Sequence, residues 1–148
     1  MKIKIRPATI KDYESVMEMY ANFVGDISGD YDRYKAKDGD SFHRVLDNDR
    51  EFIDLALADD QIAGYISYSI RDVIRYPAPI VEVEEFYVDP KYRRNKIATK
   101  LMENVLEFSR KQKAYRVFLA SAAELKAAHK FYESIGFDQY AFHFRRKP

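Results

Sequence analysis

Val83-Glu-Glu-Phe-Tyr-Val-Asp-Pro-Lys-Tyr-Arg-Arg-Asn-Lys-Ile-Ala98 carries the chain from a strand-like apolar run, through a basic loop, into the start of an amphipathic segment. Ile80 to Val88 is rich in Val, Phe and Tyr and is stopped by Asp89-Pro90, as a buried strand ends at a residue that cannot donate to a ladder. Past the loop, Ile97, Leu101, Val105 and Phe108 recur at three-to-four spacing, which predicts a helix opening near Ile97. A strand feeding a helix in this way leaves unpaired backbone N–H groups and the positive dipole end beside Lys91, Arg93, Arg94 and Lys96. In physical terms this is an anion site; a solvated basic turn is the other reading of the same residues.

Upstream, Lys2-Ile-Lys-Ile-Arg6 alternates like a half-buried strand ended by Pro7. Thr9 and Asp12 form a capping-box signature ahead of a helix whose face is expected to carry Ile10, Tyr13, Val16, Met17 and Tyr20. From Gly25 to Asp49 the pattern breaks into a long loop with seven Asp and a short helix around Phe42–Leu46, and loops of that length tend to be functional. Phe52 to Leu57 and Ile62 to Ile70, joined at Asp59-Asp60-Gln61, read as an antiparallel hairpin. Downstream, Tyr115 to Ala120 reads as a strand. Ser121 with Glu124 reads as a second capping box, opening a helix that carries Leu125, Ala128, Phe131, Tyr132 and Ile135. Gly136 is the expected C′ residue of that helix, and Phe137 to Arg145, with Tyr140, Phe142 and Phe144 alternating, is read as the last strand. The order β-α-(loop)-β-β-β-α-β-α-β predicts one α/β domain over 1–148, a single mixed, mostly antiparallel sheet flanked by helices.

A chain of 148 residues with 47% hydrophobic and 33% charged residues can bury a full core, which excludes disordered and low-complexity classes. With no apolar run of membrane-span length and no signal-peptide pattern at Met1, a cytoplasmic location is expected. The absence of cysteine removes disulfides, zinc-thiolate sites, iron–sulfur clusters and a thiol nucleophile. His43, His129 and His143 show no ligand spacing, so no metal is expected. Residues 1–90 carry a net charge of −8 and residues 91–148 a net of +9. Either two surfaces serve opposite charges, or the two sets intermingle on folding.

With these elements in order, the chain resembles the GNAT superfamily of N-acetyltransferases. The family's loop, Arg/Gln-x-x-Gly-x-Gly/Ala after a strand and opening a helix, is matched by Arg93-Arg94-Asn95-Lys96-Ile97-Ala98. A second motif, Asn-x-x-Ala-x-x-Phe-Tyr-x-x-x-Gly-Phe, is matched by Ala128-His-Lys-Phe131-Tyr132-Glu-Ser-Ile-Gly136-Phe137, with Leu125 where Asn is common. The resemblance implies a GNAT-like acyl-CoA N-acyltransferase fold and direct acetyl transfer from acetyl-CoA to a primary amine. It implies coenzyme contacts along Phe86, Tyr87 and Val88, then Arg93, Arg94, Asn95, Lys96, Ile97, Ala98 and Thr99. Lys96 stands at a glycine position, and because a Cβ disfavours positive φ, an ordinary helical backbone is expected there.

The resemblance also assigns chemistry. Glu84 matches the position of a general base in some diamine-type members, with Glu82 or water as a relay. Strand alternation is expected to set Glu84 and Glu85 on opposite faces. A strand-end carboxylate paired to an arginine is the plainer reading of Glu84. Tyr132 matches the acid that protonates the departing thiolate, against the plainer reading of a core aromatic. The Asp-rich loop, with Asp26, Asp30 and Tyr31, and with Tyr34 and Phe42 as flanking rings, is expected to wall a cationic acceptor of polyamine or aminoglycoside type. Homodimers are frequent in the family, so a second copy is among the expected partners; a membrane is not. Two other readings stand beside the enzyme. One is a catalytically silent acyl-CoA-binding regulatory module, kept open by Lys96. The other is a basic nucleic-acid-binding protein, which the core periodicity of the aromatics disfavours.

Overall fold

The computed structural model describes residues 1–28 and 40–148. Five strands form one sheet in the order β1-β2-β3-β4-β5: Ile3–Pro7, Glu51–Ala58, Gln61–Arg71, Ile80–Val88 and Val117–Leu119. The first three pairings are antiparallel and β4 pairs β5 in parallel, so the sheet is mixed as the element order predicts. The β2–β3 connection turns at Asp59 and Asp60, both at positive φ (47° and 66°), the conformation a two-residue hairpin needs to match strand twist.

One face of the sheet packs on α3, Ile97–Lys111, where Ile97, Leu101, Met102 and Val105 bury against Ala56, Ile66, Tyr68, Val81 and Val83. The partly buried Tyr132, Ile135 and Phe137 of α4, Lys126–Ser134, and of the turn after it join the same cluster. The other face packs on α1, Tyr13–Ser28, and α2, Asp40–Leu46, through Val16, Met19, Phe42, Leu55, Tyr65 and Tyr87. The buried stripe of α1 thus includes Met19, whereas Ile10 is exposed. Phe42 is buried in the core, edge-on to Tyr13 at 5.5 Å.

A short 3-10 turn, Ile10–Asp12, leads into α1. Arg6 grips Asp12 with both guanidinium nitrogens, each at 2.8 Å, and the Thr9 amide donates to the same carboxylate at 2.7 Å. The Arg6 hydrogen bond is the main reason the buried Asp12 carboxyl is held well below the usual carboxylate range. A depressed folded-state pKa adds stability that is present above the unfolded value and lost as pH falls through the folded one. Asp12→Ala is therefore expected to cost about 2 kcal/mol at neutral pH, with the partner Arg6 left half-exposed. Thermal unfolding at neutral pH and again in strong acid, where the difference should shrink as Asp12 protonates, checks this.

Three sequence expectations change. The strand after α3 is only three residues, Val117–Leu119. The Ser121–Glu124 capping box does not form: Leu125 is the N-cap and makes no side-chain cap bond. Phe137 to Arg145 forms no strand, and Tyr140, Phe142 and Phe144 stand exposed. Alternation there is a pattern without a partner ladder. The end of α4 is as predicted: Gly136 takes φ 95°, and the amides of Gly136 and Phe137 donate to the carbonyls of Glu133 and Tyr132. That is the doubly bonded helix stop glycine permits.

Candidate active site

Parallel pairing of β4 with β5 covers only Val81–Val83. From Glu84 to Val88 the β5 side of β4 has no strand partner among the described residues, so the sheet splits and main-chain groups there are open to a ligand. On its other side this segment is held by β3, with Tyr65 opposite Tyr87 and Gly64 opposite Val88.

At the mouth of the split the basic loop is braced by its own side chains. Asp89 accepts from the Lys91 amide at 2.9 Å, opening a 3-10 turn over Pro90–Tyr92. Arg93 Nε donates to the Val88 carbonyl at 3.0 Å, and Asn95 Nδ2 donates to the carbonyls of Tyr92 and Arg93. Arg94 and Lys96 both take left-handed backbone, φ 65° and 60°. The expectation of an ordinary helical backbone at Lys96 is thus wrong. The chain must reverse to start α3, and the geometry a glycine would adopt freely is imposed on lysine at a cost of about 1–2 kcal/mol. Ile97, 1% exposed, pins the helix start into the core. The first helical bond runs from the Lys100 amide to the Lys96 carbonyl, so the amides of Ile97, Ala98 and Thr99 make no bond within the helix. Loop and helix start together offer donors and positive charge to a phosphate.

The acidic groups sit on β4. The β3–β4 register pairs Ser67 with Glu85 and Tyr68 with Val83, leaving Glu84 without an opposite residue. This bulge interrupts the alternation expected to separate Glu84 from Glu85. Glu85 is engaged: the buried Ser67 hydroxyl donates to its carboxylate and accepts from its amide at 3.1 Å. Glu82 is engaged too, by Arg71 at 2.7 Å. Glu84 makes no hydrogen bond or ion pair among the described residues. Its side chain meets solvent, yet crowding by the neighbouring strands, then Glu82 and Glu85, raises its carboxyl above the usual range. Ser67 and the bulge were not legible in advance; a run of two glutamates in a strand is the one available hint of irregular pairing.

Tyr132 lies across the split, its ring 6.3 Å from Phe86, 5.7 Å from Phe131 and 6.1 Å from Phe137. Burial among these rings raises its phenol, and its hydroxyl has no hydrogen-bond partner among the described residues. One apolar cluster holds Phe86, Val88, Ile97 and Tyr132, and Glu84 lies two residues before Phe86 on β4. Asp30, Tyr31, Tyr34 and the side chain of Asp26 lie outside the described residues. No group of three or more His, Asp or Glu that could hold a metal occurs among the described residues. His129 instead bonds the Ala122 carbonyl at 3.0 Å.

The model of the acetyltransferase (GNAT) family matches residues 13–137, and the chain belongs to that family. Aminoalkylphosphonate N-acetyltransferase of Salmonella typhimurium is 28% identical over 143 residues, 97% of this chain and 90% of that protein. A transcriptional regulator from Bacillus halodurans C-125 has the same fold, with a TM-score of 0.87 at 18% identity over 99% of both chains. So does the aminoglycoside acetyltransferase meta-AAC0020 from an uncultured soil metagenomic sample, solved with sisomicin, with a TM-score of 0.81 at 17% identity over 99% of this chain and 96% of that one. No helix among the described residues is long and apolar enough to cross a membrane.

Proposed function

We propose that the protein transfers an acetyl group from acetyl-CoA directly to the primary amine of a small cationic acceptor. The observation carrying this is the open β4 segment Glu84–Val88, flanked by a carboxylate without a partner on one side and a phenol without a partner on the other. Acetyl-CoA supplies an activated thioester. Its diphosphate fits the amides of Ile97, Ala98 and Thr99 and the positive charge of Arg93, Arg94 and Lys96. Main-chain groups of Phe86, Tyr87 and Val88 fit an extended arm laid along β4 as an added strand.

An amine is protonated near neutral pH, with a reference pKa of ~10.4 for a lysine-like group, and an ammonium has no lone pair to attack with. The Glu84 carboxylate accepts that proton, directly or through one water. Its raised pKa makes its carboxylate a stronger base than that of an ordinary glutamate. A backbone amide of β4 meets the negative charge that develops on the acyl oxygen. Tyr132 then donates its phenolic proton to the departing sulfur. Glu84, which has no ion-pair partner among the described residues, sits where the split begins and favours a polyamine or aminoglycoside type of acceptor over an anionic one.

Acetyl-CoA turnover across spermidine, kanamycin, 2-aminoethylphosphonate and free amino acids tests the reading, with the cationic amines expected to lead. Activity should rise with pH through the raised Glu84 pKa, because only the ionised carboxylate takes a proton. Glu84→Gln is expected to lower kcat/KM about a hundredfold and to abolish that acid limb. No turnover with any amine, despite tight acetyl-CoA binding, would leave the silent binding module standing in its place.

A further inference from the structure

On the α3 face, at the other end of that helix from the loop, Asp54 of β2 is 5% exposed. Tyr68 Oη and Asn104 Nδ2 each donate to its Oδ2 at 2.8 Å. Two donors on one oxygen do not balance a buried carboxylate: burial holds its pKa above the usual range against the lowering effect of both bonds. Asp54 lines a cavity of about 510 Å³ that opens to solvent. Asn104 and Phe108 form its α3 wall, and Ala98 to Phe108 spans about 15 Å of helix axis, so it is separate from the acyl-transfer cleft.

The wall's charges do not cancel. Arg6 is committed to Asp12, and Lys111 is paired with Glu107, which also meets Arg110. Among the described residues, neither Glu51 nor Asp54 is paired with a cation; Glu51 accepts from the Asn48 side-chain amide at 2.9 Å. The cavity is thus negative by two carboxylates once its paired groups are set aside. Phe52, Tyr68 and Phe108 also line it, with ring centroids 4.8 to 5.3 Å apart. A desolvated carboxylate beside clustered aromatic rings is the donor set for an organic cation, attracted by charge and by ring quadrupole together.

We propose that this cavity binds a small organic ammonium, its charge on Asp54 and its apolar body against Phe52 and Phe108. The site lies outside the acyl-transfer cleft and does not depend on the reaction proposed above.

Titration of the intact protein with benzylammonium chloride and, separately, with benzyl alcohol tests this by calorimetry and by amide nitrogen–proton shifts. The ammonium is expected to bind at least about tenfold more tightly than the alcohol, with the preference growing as pH rises and Asp54, whose carboxyl is raised by burial, ionises. The shifts should centre on Asp54, Tyr68, Asn104 and Phe108. Asp54→Asn keeps an oxygen for Tyr68 and Asn104 while removing the charge, and should cost at least about tenfold in affinity. Glu84→Gln should cost nothing. Equal affinity for the two probes, shifts centred on Glu84–Val88, or no saturable shift would each overturn the proposal. If Asp54→Asn does not fold, the wild-type shift map decides alone.

Discussion

Tyr132→Phe should lower kcat about a hundredfold while leaving the KM for acetyl-CoA and the melting temperature close to wild type. The ring contacts with Phe86, Phe131 and Phe137 are all retained by phenylalanine. The hydroxyl it removes has no hydrogen-bond partner among the described residues, so the folded state loses almost nothing; changes of that kind fall within about 0.5 kcal/mol. What disappears is the phenolic proton proposed to meet the developing thiolate. The same substitution should remove the alkaline limb of the kcat profile. Burial raises the Tyr132 phenol, so in the wild type that limb falls above the usual tyrosine range, where the phenol ionises and can no longer donate. A decrease of less than about threefold, with the alkaline limb unchanged, would mean that the sulfur is protonated by something else.

The parts of this site that were legible in the sequence are those set by local periodicity. Ile80–Val88 has the bounds its apolar pattern predicts and the next helix starts at Ile97 as its pattern predicts, because a buried strand and an amphipathic helix are each specified by their own residues. Gly136 was legible for the same reason: only its own backbone freedom matters. At Lys96 the local cost of left-handed backbone argues for an ordinary helical residue, but the buried Ile97 next to it fixes the path of the chain and overrides that cost. The pairing of Glu85 with Ser67, 18 residues apart in sequence, depends on a register shift between two strands, which no single segment encodes. Phe137 to Arg145 fails in the opposite sense. Its alternation is a strand pattern, but a strand needs a ladder, and no described strand edge meets it.

Gly64→Ala is expected to be the most damaging glycine-to-alanine change among the described residues. Gly64 sits on β3 opposite Val88, and a Cβ there would fall 2.6 Å from the Tyr87 carbonyl oxygen and 3.2 Å from Val88 Cα. Both obstacles include main chain, so no rotamer change relieves them; β4 itself must move. Overpacking of this kind costs about 1–3 kcal/mol, and in a chain of this size each kcal/mol lowers the melting temperature by about 2–4 °C. The functional loss should be greater than the stability loss implies. Tyr87 and Val88 are the residues proposed to lie along the coenzyme's arm, and a displacement near 1 Å at a reacting centre is enough to cost about a hundredfold. Gly25→Ala supplies the contrast, since a Cβ at Gly25 meets nothing within 4 Å and the position lies within α1. There the methyl should stabilise by about 0.5–1 kcal/mol through helix propensity alone and leave turnover unchanged. Thermal melts and steady-state kinetics on both variants separate the cases. Wild-type stability and wild-type KM in Gly64→Ala would show that β4 does not run as close to β3 as the active-site geometry requires.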